Sequence, residues 1–332
     1  MTAPATGGVR HIEVTRAEAG QKLLQFLQRR LGSGVPQQFL MRIIRKGEVR
    51  VNKGRAKPYD RVSEGDVVRI PPVRPAAEPS CDAACAVPAV SASPLPQIIA
   101  SGDGLLVINK PAGLPVQPGT GHTDCVTARL AAHFAGADFM PAPAHRLDKN
   151  TSGLLLAGTT YTALRTLQDL FRNGHSLIKD YCAWVCGIWP EQEALTLTDV
   201  LVKEGTPGKE KIHALPAGSA QPHTAPPKGR EALCQVVPLL RLDNATLLGI
   251  RLATGRTHQI RVQLASRNHP VIGDVKYGAP ACRAGMLLHA FRLVLPAPFG
   301  REFFCPPPWQ GRRAVAPQTL RQCRFPPLRP AD

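Results

Sequence analysis

The chain has 332 residues and a formal net charge of +17, from 41 Lys+Arg against 24 Asp+Glu. That length supports a substantial core and more than one domain, and the charge points to a polyanionic partner, nucleic acid before an anionic membrane surface. No stretch approaches the ~18 apolar residues of a membrane span, residues 1–10 lack the apolar core of a secretory signal, and nine cysteines without a CxxC pair fit free thiols in a cytoplasmic protein better than a disulfide framework or a zinc site.

In chain order, residues 1–17 carry little pattern and are expected to form a flexible tail. Leu23, Leu24, Leu27 and Leu31 then recur at helical spacing, with Arg29 and Arg30 off that face. Pro36 is placed to open a second helix, in which Phe39, Leu40, Ile43 and Ile44 point inward and Arg42, Arg45 and Lys46 outward, with Gly47 as its stop. Residues 48–51 alternate like a strand, Asn52-Lys53-Gly54 turns, and Val67-Val68-Arg69-Ile70 closes the module. Residues 18–74 hold thirteen Lys/Arg against five Asp/Glu. A soluble surface mixes both signs, so a basic face on two short helices points to phosphate contacts, with Lys22, Arg42, Arg45, Lys46, Arg50, Lys53 and Arg55 as the candidate contacts.

Three stretches of this module, Gly20-Gln21-Lys22-Leu23-Leu24, residues 44–52 and Glu64-Gly65-Asp66-Val67-Val68, resemble the small RNA-binding domain named after ribosomal protein S-four. The resemblance implies a helix-pair-and-strand surface that grips structured RNA by shape and backbone. We set this domain at 18–73. Residues 71–96 carry seven prolines and seven alanines with no apolar period and read as a linker over 74–96, which leaves the RNA-binding module mobile. Cys81 and Cys85 fall in this linker.

The second domain, 97–325, opens on a hairpin, Ile98-Ile99-Ala100 and Leu105-Leu106-Val107-Ile108-Asn109, running into Lys110-Pro111-Ala112-Gly113-Leu114-Pro115-Val116. His122 reads as structural, and residues 126–134 as a helix. Next comes His145-Arg146-Leu147-Asp148-Lys149-Asn150-Thr151-Ser152-Gly153, ahead of the apolar run Leu154-Leu155-Leu156-Ala157. Asp148 is open to two readings: a loop carboxylate capping backbone amides, or a catalytic carboxylate held on a strand end. Residues 160–172 form an amphipathic helix. Residues 177–187 form a strand with Lys179, Tyr181, Ala183 and Val185 on one face, while Cys182 and Cys186 flank Trp184 as packing residues. Residues 195–230, rich in Pro, Gly, Lys and His, read as an irregular insertion. Strands resume near 231–236 and at 246–252. The latter feeds Gly255-Arg256-Thr257-His258-Gln259-Ile260-Arg261, a tight turn entering a helix; Gly273-Asp274 and Tyr277-Gly278 turn again, and residues 287–293 return as a strand. The tail from Pro306 is weakly patterned. Strands joined by hairpins, without regular βα alternation or a glycine-rich phosphate loop, indicate an α+β fold on a mixed, mostly antiparallel sheet, with a small separate α/β RNA-binding domain.

Taken in order, the Asn109–Val116 stretch, the His145–Gly153 stretch, Lys179-Asp180-Tyr181, and the Gly255–Arg261 stretch with its following turns resemble the RluA-type pseudouridine synthases. With the N-terminal module, the likeness is nearest the RluC/RluD-like subgroup acting on large-subunit ribosomal RNA. The resemblance implies an isomerase that breaks the bond from ring nitrogen to ribose, turns the base and rejoins it through carbon, a reaction without redox change and with no cofactor or metal required. It implies Asp148 as the catalytic carboxylate, Arg256 as the arginine that keeps it ionised, and Tyr181 as the residue stacking on the target base and a candidate for the proton transfer. Arg146 would fill the stack vacated by a flipped base, Lys110 would face a phosphate, and His145 would orient. Lys179 and Ile260 are further substrate contacts, and His258 and Gln259 shape the Arg256 turn. Asn150, Cys234 and the absence of a histidine in residues 296–300 depart from the family pattern, which bears on substrate choice. Transfer RNA as substrate, or a non-catalytic ribosome-assembly factor that kept the fold, are the alternatives. RNA is the expected partner, and a monomer the expected state.

Overall fold

The structure is a computed structural model and describes residues 8–32, 35–73, 93–118, 123–173, 176–204, 211–216 and 229–327. Most of the 74–96 linker, with Cys81 and Cys85, lies outside the described residues, as does His122.

The N-terminal module contains β1 (Arg10–Glu13), α1 (Leu23–Leu31), α2 (Gln37–Arg45), β2 (Arg50–Val51), β3 (Gly54–Arg55) and β4 (Val67–Ile70), with sheet order β1-β4-β2-β3. Its core is the apolar stripe of the two helices: Leu23, Leu24, Phe26 and Leu27 of α1 meet Leu40, Ile43 and Ile44 of α2 over Val49, Val68 and Ile70. The N-terminal tail is shorter than expected. Arg10–Glu13 pairs antiparallel with β4, Arg10 opposite Ile70, and backbone pairing rather than an apolar pattern places it.

The second unit contains β5 (Ile98–Gly102), β6 (Leu105–Lys110), α3 (Val126–His133), β7 (Ala142–Pro143), β8 (Ser152–Gly158), α4 (Tyr161–Asn173), β9 (Ile178–Cys186), β10 (Leu195–Glu204), β11 (Lys211–Pro216), β12 (Arg230–Leu242), β13 (Ala245–Leu252), α5 (Gln259–Ala265), β14 (Leu288–Leu295), β15 (Arg301–Phe304) and α6 (Pro317–Arg321). The main sheet runs β11-β10-β12-β13-β9-β14-β8-β6-β5, with β7 on β8 and β15 on β14. Among the described strands, only β8 and β14 pair in parallel; every other neighbour is antiparallel. The central strands are covered on both faces. On β9, Tyr181, Ala183 and Val185 enter one cluster, while Cys182 and Trp184 enter another, with Cys186 packed against it.

Three further expectations change. The 195–230 stretch is not irregular where it is described: β10 and β11 form an antiparallel hairpin, and β10 pairs with β12 from Leu195↔Val236 to Leu201↔Arg230. The segment after Pro306 is also ordered into the core, where Val315 and Leu320 pack against Trp184 and Phe291. The N-terminal module, expected to be mobile, rests against the second unit. The Tyr161 amide donates to the Ala17 carbonyl at 2.9 Å, and the Arg29 guanidinium lies 4.3 Å from the Phe139 ring centroid. Among the described residues, no helix is long and apolar enough to cross a membrane, and no group of three His, Cys, Asp or Glu side chains is placed to hold a metal.

The parallel seam between β8 and β14 fixes the strand that follows Asp148. Gly153 has φ +110°, and a Cβ there would lie 2.7 Å from the Ala290 nitrogen and closer still to its carbonyl oxygen, so only glycine lets the two backbones approach. Beside it the Ser152 hydroxyl meets His289 Nδ1 at 2.8 Å, while His289 Nε2 donates to the Cys305 carbonyl at 3.0 Å. His289 is fully buried, and burial pushes its pKa down to about 4.

Gly153→Ala is expected to lower stability by about 2–4 kcal/mol, from a strained φ and an overpacked seam, as read by urea unfolding. His289 binds its proton more weakly folded than unfolded, so stability is unaffected by it above about pH 6.5 and falls as pH drops toward 4. Over that window the His289→Gln variant is expected to show a shallower decline, by up to about 1.4 kcal/mol per pH unit, in denaturation series at stepped pH.

Candidate active site

Asp148 sits in the loop leading into β8, where the Asp148 carbonyl accepts from the Thr151 amide at 3.1 Å. Its Oδ2 accepts from Arg261 Nη1 at 3.0 Å and lies 3.8 Å from His258 Nε2. Arg261 projects from α5 and also grips Asp274, Nε to Oδ2 at 2.6 Å and Nη2 to Oδ1 at 2.8 Å. Asp274 is only 2% exposed. A buried carboxylate at that depth requires a partner, and the planar guanidinium satisfies it in bidentate form while reserving one edge for Asp148. Burial opposes the charge on Arg261, but the bonds to Asp274 and Asp148 outweigh it and hold its pKa above the ordinary value.

This corrects the expected pairing. Arg256 is not the arginine on Asp148; its Nε donates to the Glu231 carbonyl at 2.9 Å, and its side chain stands exposed at the pocket rim. Gln259 does shape the Arg256 turn. Its Oε1 accepts from the Arg256 amide at 3.0 Å and from the Thr254 hydroxyl at 2.8 Å, and its Nε2 donates to the Leu233 carbonyl. His258 enters α5 with φ +55°, a left-handed conformation in which histidine is over-represented among non-glycine residues. Its Nδ1 is 2.8 Å from the Tyr277 hydroxyl, and burial lowers its pKa against the pull of Asp148.

The small pocket around Asp148 is lined by Arg146, Leu147, Thr151, Tyr181, Leu252, Ile260, Leu288 and the Gly255–Arg261 turn. It therefore joins Arg146, Asp148, Tyr181, Arg256 and Ile260 of the expected set. Tyr181, opposite Ile250 on β13 and Ala290 on β14, forms an apolar wall. Burial, then the charge of Asp148, pushes its pKa well above the ordinary value, so the phenol stays protonated and does not supply a ready base.

Three expected contacts fall outside the pocket lining. Lys110 is not a phosphate-facing side chain: it is 0% exposed and its Nζ donates to the carbonyls of Pro111, Leu114 and Lys149 at 2.9, 2.8 and 3.0 Å. The Gly113 amide meets the same Lys149 carbonyl at 2.9 Å, so Lys110 clamps the peptide next to Asp148 from behind. Burial lowers its pKa to about 7, against the charge of Asp148. His145 stacks on Phe171 with centroids 4.0 Å apart and accepts from the Leu156 amide at 3.0 Å. Burial takes its pKa to about 3, which leaves a neutral ring that orients the loop. Lys179 is buried on β9, and burial lowers its pKa.

In the N-terminal module, Arg42, Arg45 and Lys46 share a shallow hollow on α2 with Gln37, Gln38 and Met41. Arg50 and Arg55 gather at the C-terminal end of that helix, donating to the carbonyls of Gly47 and Lys46, where cations are favoured. Lys53 sits in the following turn with φ +66°, and Lys22 stands over the Tyr59 ring at 5.2 Å.

A pocket that sets a carboxylate against a tyrosine, in a chain carrying a basic helix-pair module, is the arrangement of an enzyme that acts on a polyanionic substrate. The comparisons name it. The RNA pseudouridylate synthase profile matches residues 104–266, and the S4 domain profile residues 21–68. The ribosomal large subunit pseudouridine synthase C of Yersinia pestis is 38% identical over 270 residues, covering 81% of this chain and 80% of that protein; its Escherichia coli (strain K12) counterpart is 37% identical over 273 residues, covering 82% and 81%. Among solved structures, human RNA pseudouridylate synthase domain containing 4 superposes with a TM-score of 0.51 at 25% identity, over 68% of this chain and 92% of that one. The chain belongs to the RNA pseudouridylate synthase family, whose members are isomerases, and its N-terminal module is an S4 domain.

Sequence reading missed Arg261, Asp274 and Tyr277. The available signal was a charge inside the apolar helix Gln-Ile-Arg-Val-Gln-Leu-Ala, a position that demands a buried partner. Arg261→Met is expected to cost about 3–5 kcal/mol, because it strands Asp274, whereas Arg256→Ala should stay within about 0.5 kcal/mol; parallel urea titrations separate the two.

Proposed function

We propose that this protein converts specific uridines of large-subunit ribosomal RNA to pseudouridine, with Asp148 as the carboxylate that acts on the target nucleotide. The observation that carries the reading is the placement of Asp148 at the pocket, its carboxylate bonded by Arg261 and its loop clamped by Lys110. A carboxylate bonded to an arginine beside an apolar wall is available to attack, to stabilise developing positive charge or to take a proton. Tyr181 offers a flat protonated ring on which a flipped uracil stacks. Arg146, exposed at the rim on the residue two before Asp148, is placed to enter the RNA stack that the flipped nucleotide leaves. The S4 face on α2 adds sequence-independent grip on the phosphates. The names of the curated relatives support the large ribosomal subunit as the source of the substrate.

The test is pseudouridine mapping of ribosomal and transfer RNA from cells in which the gene is deleted, restored, or restored as Asp148→Ala. Sites in large-subunit RNA are expected to vanish on deletion, return with the wild-type gene and stay absent with the variant; in vitro, kcat should fall at least about a thousandfold. Sites that return with Asp148→Ala would remove the catalytic assignment, and sites lost only from transfer RNA would move the substrate.

A further inference from the structure

The contact between the S4 module and the second unit is built from both sides. On the S4 side it is made by the turn between β1 and α1 and by the end of α1. That turn is held rigid within its own module. The Glu18 carboxylate, only 2% exposed, accepts from the Thr15 amide at 3.1 Å and from Arg30 Nη2 at 2.7 Å, and the Gly20 amide donates to the Val62 carbonyl at 2.8 Å. Facing it are Phe139, Met140 and Tyr161, the first residue of α4. Ala17 packs into the cluster of Phe139, Tyr161 and Leu164. A Cβ on Gly20 would lie 3.6 Å from the Tyr161 ring, so the backbone of the turn runs beside that ring. Arg29 lies over the Phe139 ring, and its Nη1 donates to the Met140 carbonyl at 3.4 Å.

The hydrogen bond from the Tyr161 amide to the Ala17 carbonyl gives this contact a direction. The first amides of a helix have no partner inside it. Thr160 supplies one locally, its hydroxyl accepting from the Ala163 amide at 3.2 Å, but the Tyr161 amide is answered from the S4 module. At its other end α4 meets the catalytic loop: Phe171 stacks on His145, three residues before Asp148. Ten residues of helix separate the two points by about 15 Å. One rigid element therefore touches the S4 module at its start and the Asp148 loop near its end.

Domains joined by a linker move relative to each other by default. Residues 74–92 join Val73 to Ser93, and a chain of that length reaches up to about 65 Å, so connectivity alone sets no position. A main-chain bond, an apolar contact and a cation over a ring, from separate S4 positions, do set one.

We infer that the S4 module and the catalytic unit work as one docked body, with Ala17 and Arg29 as positioning residues, so that RNA held on α2 meets the Asp148 pocket at a fixed spacing. The functional half of this rests on reading that pocket as the uridine site. Two binding surfaces in fixed relation raise the effective concentration of one for RNA held by the other, whereas a loose tether dilutes it.

The test uses the full chain, with Ala17→Trp as a neutral wedge in the contact and Arg29→Gln as a second variant. Arg29 is exposed on α1, so its replacement leaves both cores intact and the melting temperature unchanged. Small-angle X-ray scattering gives the maximum dimension, hydrogen exchange the protection at the start of α4, and kinetics the turnover of large-subunit RNA and of a short uridine-containing hairpin too small to span both surfaces. The wild type is expected to scatter as the docked body. Ala17→Trp should increase the maximum dimension and speed exchange at Tyr161 by about tenfold or more, and Arg29→Gln should move both in the same direction by less. On large-subunit RNA, kcat/KM should fall about tenfold through KM, while on the hairpin it stays within about twofold. A wild-type maximum dimension beyond that of the docked body overturns the inference, as does separation of the modules with turnover of large-subunit RNA unchanged. A docked wild type that forms no pseudouridine in either RNA removes the uridine reading instead and leaves the docking supported by scattering and exchange.

Discussion

The site depends on one arrangement of charge: Asp148, Arg261 and Asp274 in line. A carboxylate that must stay ionised beside apolar walls needs a cation, and a cation taken that far from water needs its own counter-charge. The three members come from the loop before β8, from α5 and from the turn before Val275, so the solution exists only once those segments are brought together. α5 does this with its polar side chains rather than its apolar ones alone. Gln259, Arg261 and Gln263 are all buried, and each bonds a different neighbour: Gln259 the Leu233 carbonyl and the Arg256 turn, Arg261 the two aspartates, Gln263 the Asp199 carboxylate and the Ala232 carbonyl. A helix of seven residues is too short to be stable by propensity. Its position is set by these directional bonds, which tolerate little displacement.

The same precision is built behind Asp148. Gly153 lets β8 approach β14, His289 joins Ser152 to the Cys305 carbonyl across that seam, and Lys110 holds the Lys149 peptide from the other side. His145 adds a neutral acceptor for the Leu156 amide. Four polar groups that could be mistaken for reactive ones therefore serve to fix a loop. Burial lowers the pKa of Lys110, His145 and His289, and each spends its hydrogen-bonding capacity on backbone or on Ser152, so none is free to exchange protons with a substrate.

Legibility in the sequence followed the kind of force that places each residue. The α1–α2 pair was readable because its apolar stripe repeats at helical period and nothing else determines it. Asp148, Tyr181, Arg146 and Ile260 were readable because the motifs around them are local, and the structure brings all four to one pocket. The partner of Asp148 was not readable. Arg256 and Arg261 share one short segment, and what separates them is Asp274, thirteen residues beyond Arg261 and joined to it only in the folded chain. Lys110 misled for the same reason: three backbone carbonyls that surround an ammonium leave no trace in the sequence. The β10–β11 hairpin was lost because the inward face of β10 carries Asp199, which breaks the expected apolar alternation until Arg267 and Gln263 account for it. β1 has no apolar alternation at all and is placed by its hydrogen bonds to β4.

These placements also explain where the excess positive charge resides. The buried acids of the second unit are each bound by arginine: Asp180 by Arg251 and Arg292, Asp199 by Arg267, Asp274 by Arg261. These three acids are held inside in pairs whose net contribution to stability is small but whose disruption is costly. What the interior does not neutralise is carried outside, and not evenly. Arg42, Arg45 and Lys46 crowd the S4 helix face, and Arg146 and Arg256 stand at the rim of the Asp148 pocket. The basic composition, seen first as a prior about partners, resolves into a geometry in which exposed cations gather on the S4 helix face and at the rim of the Asp148 pocket.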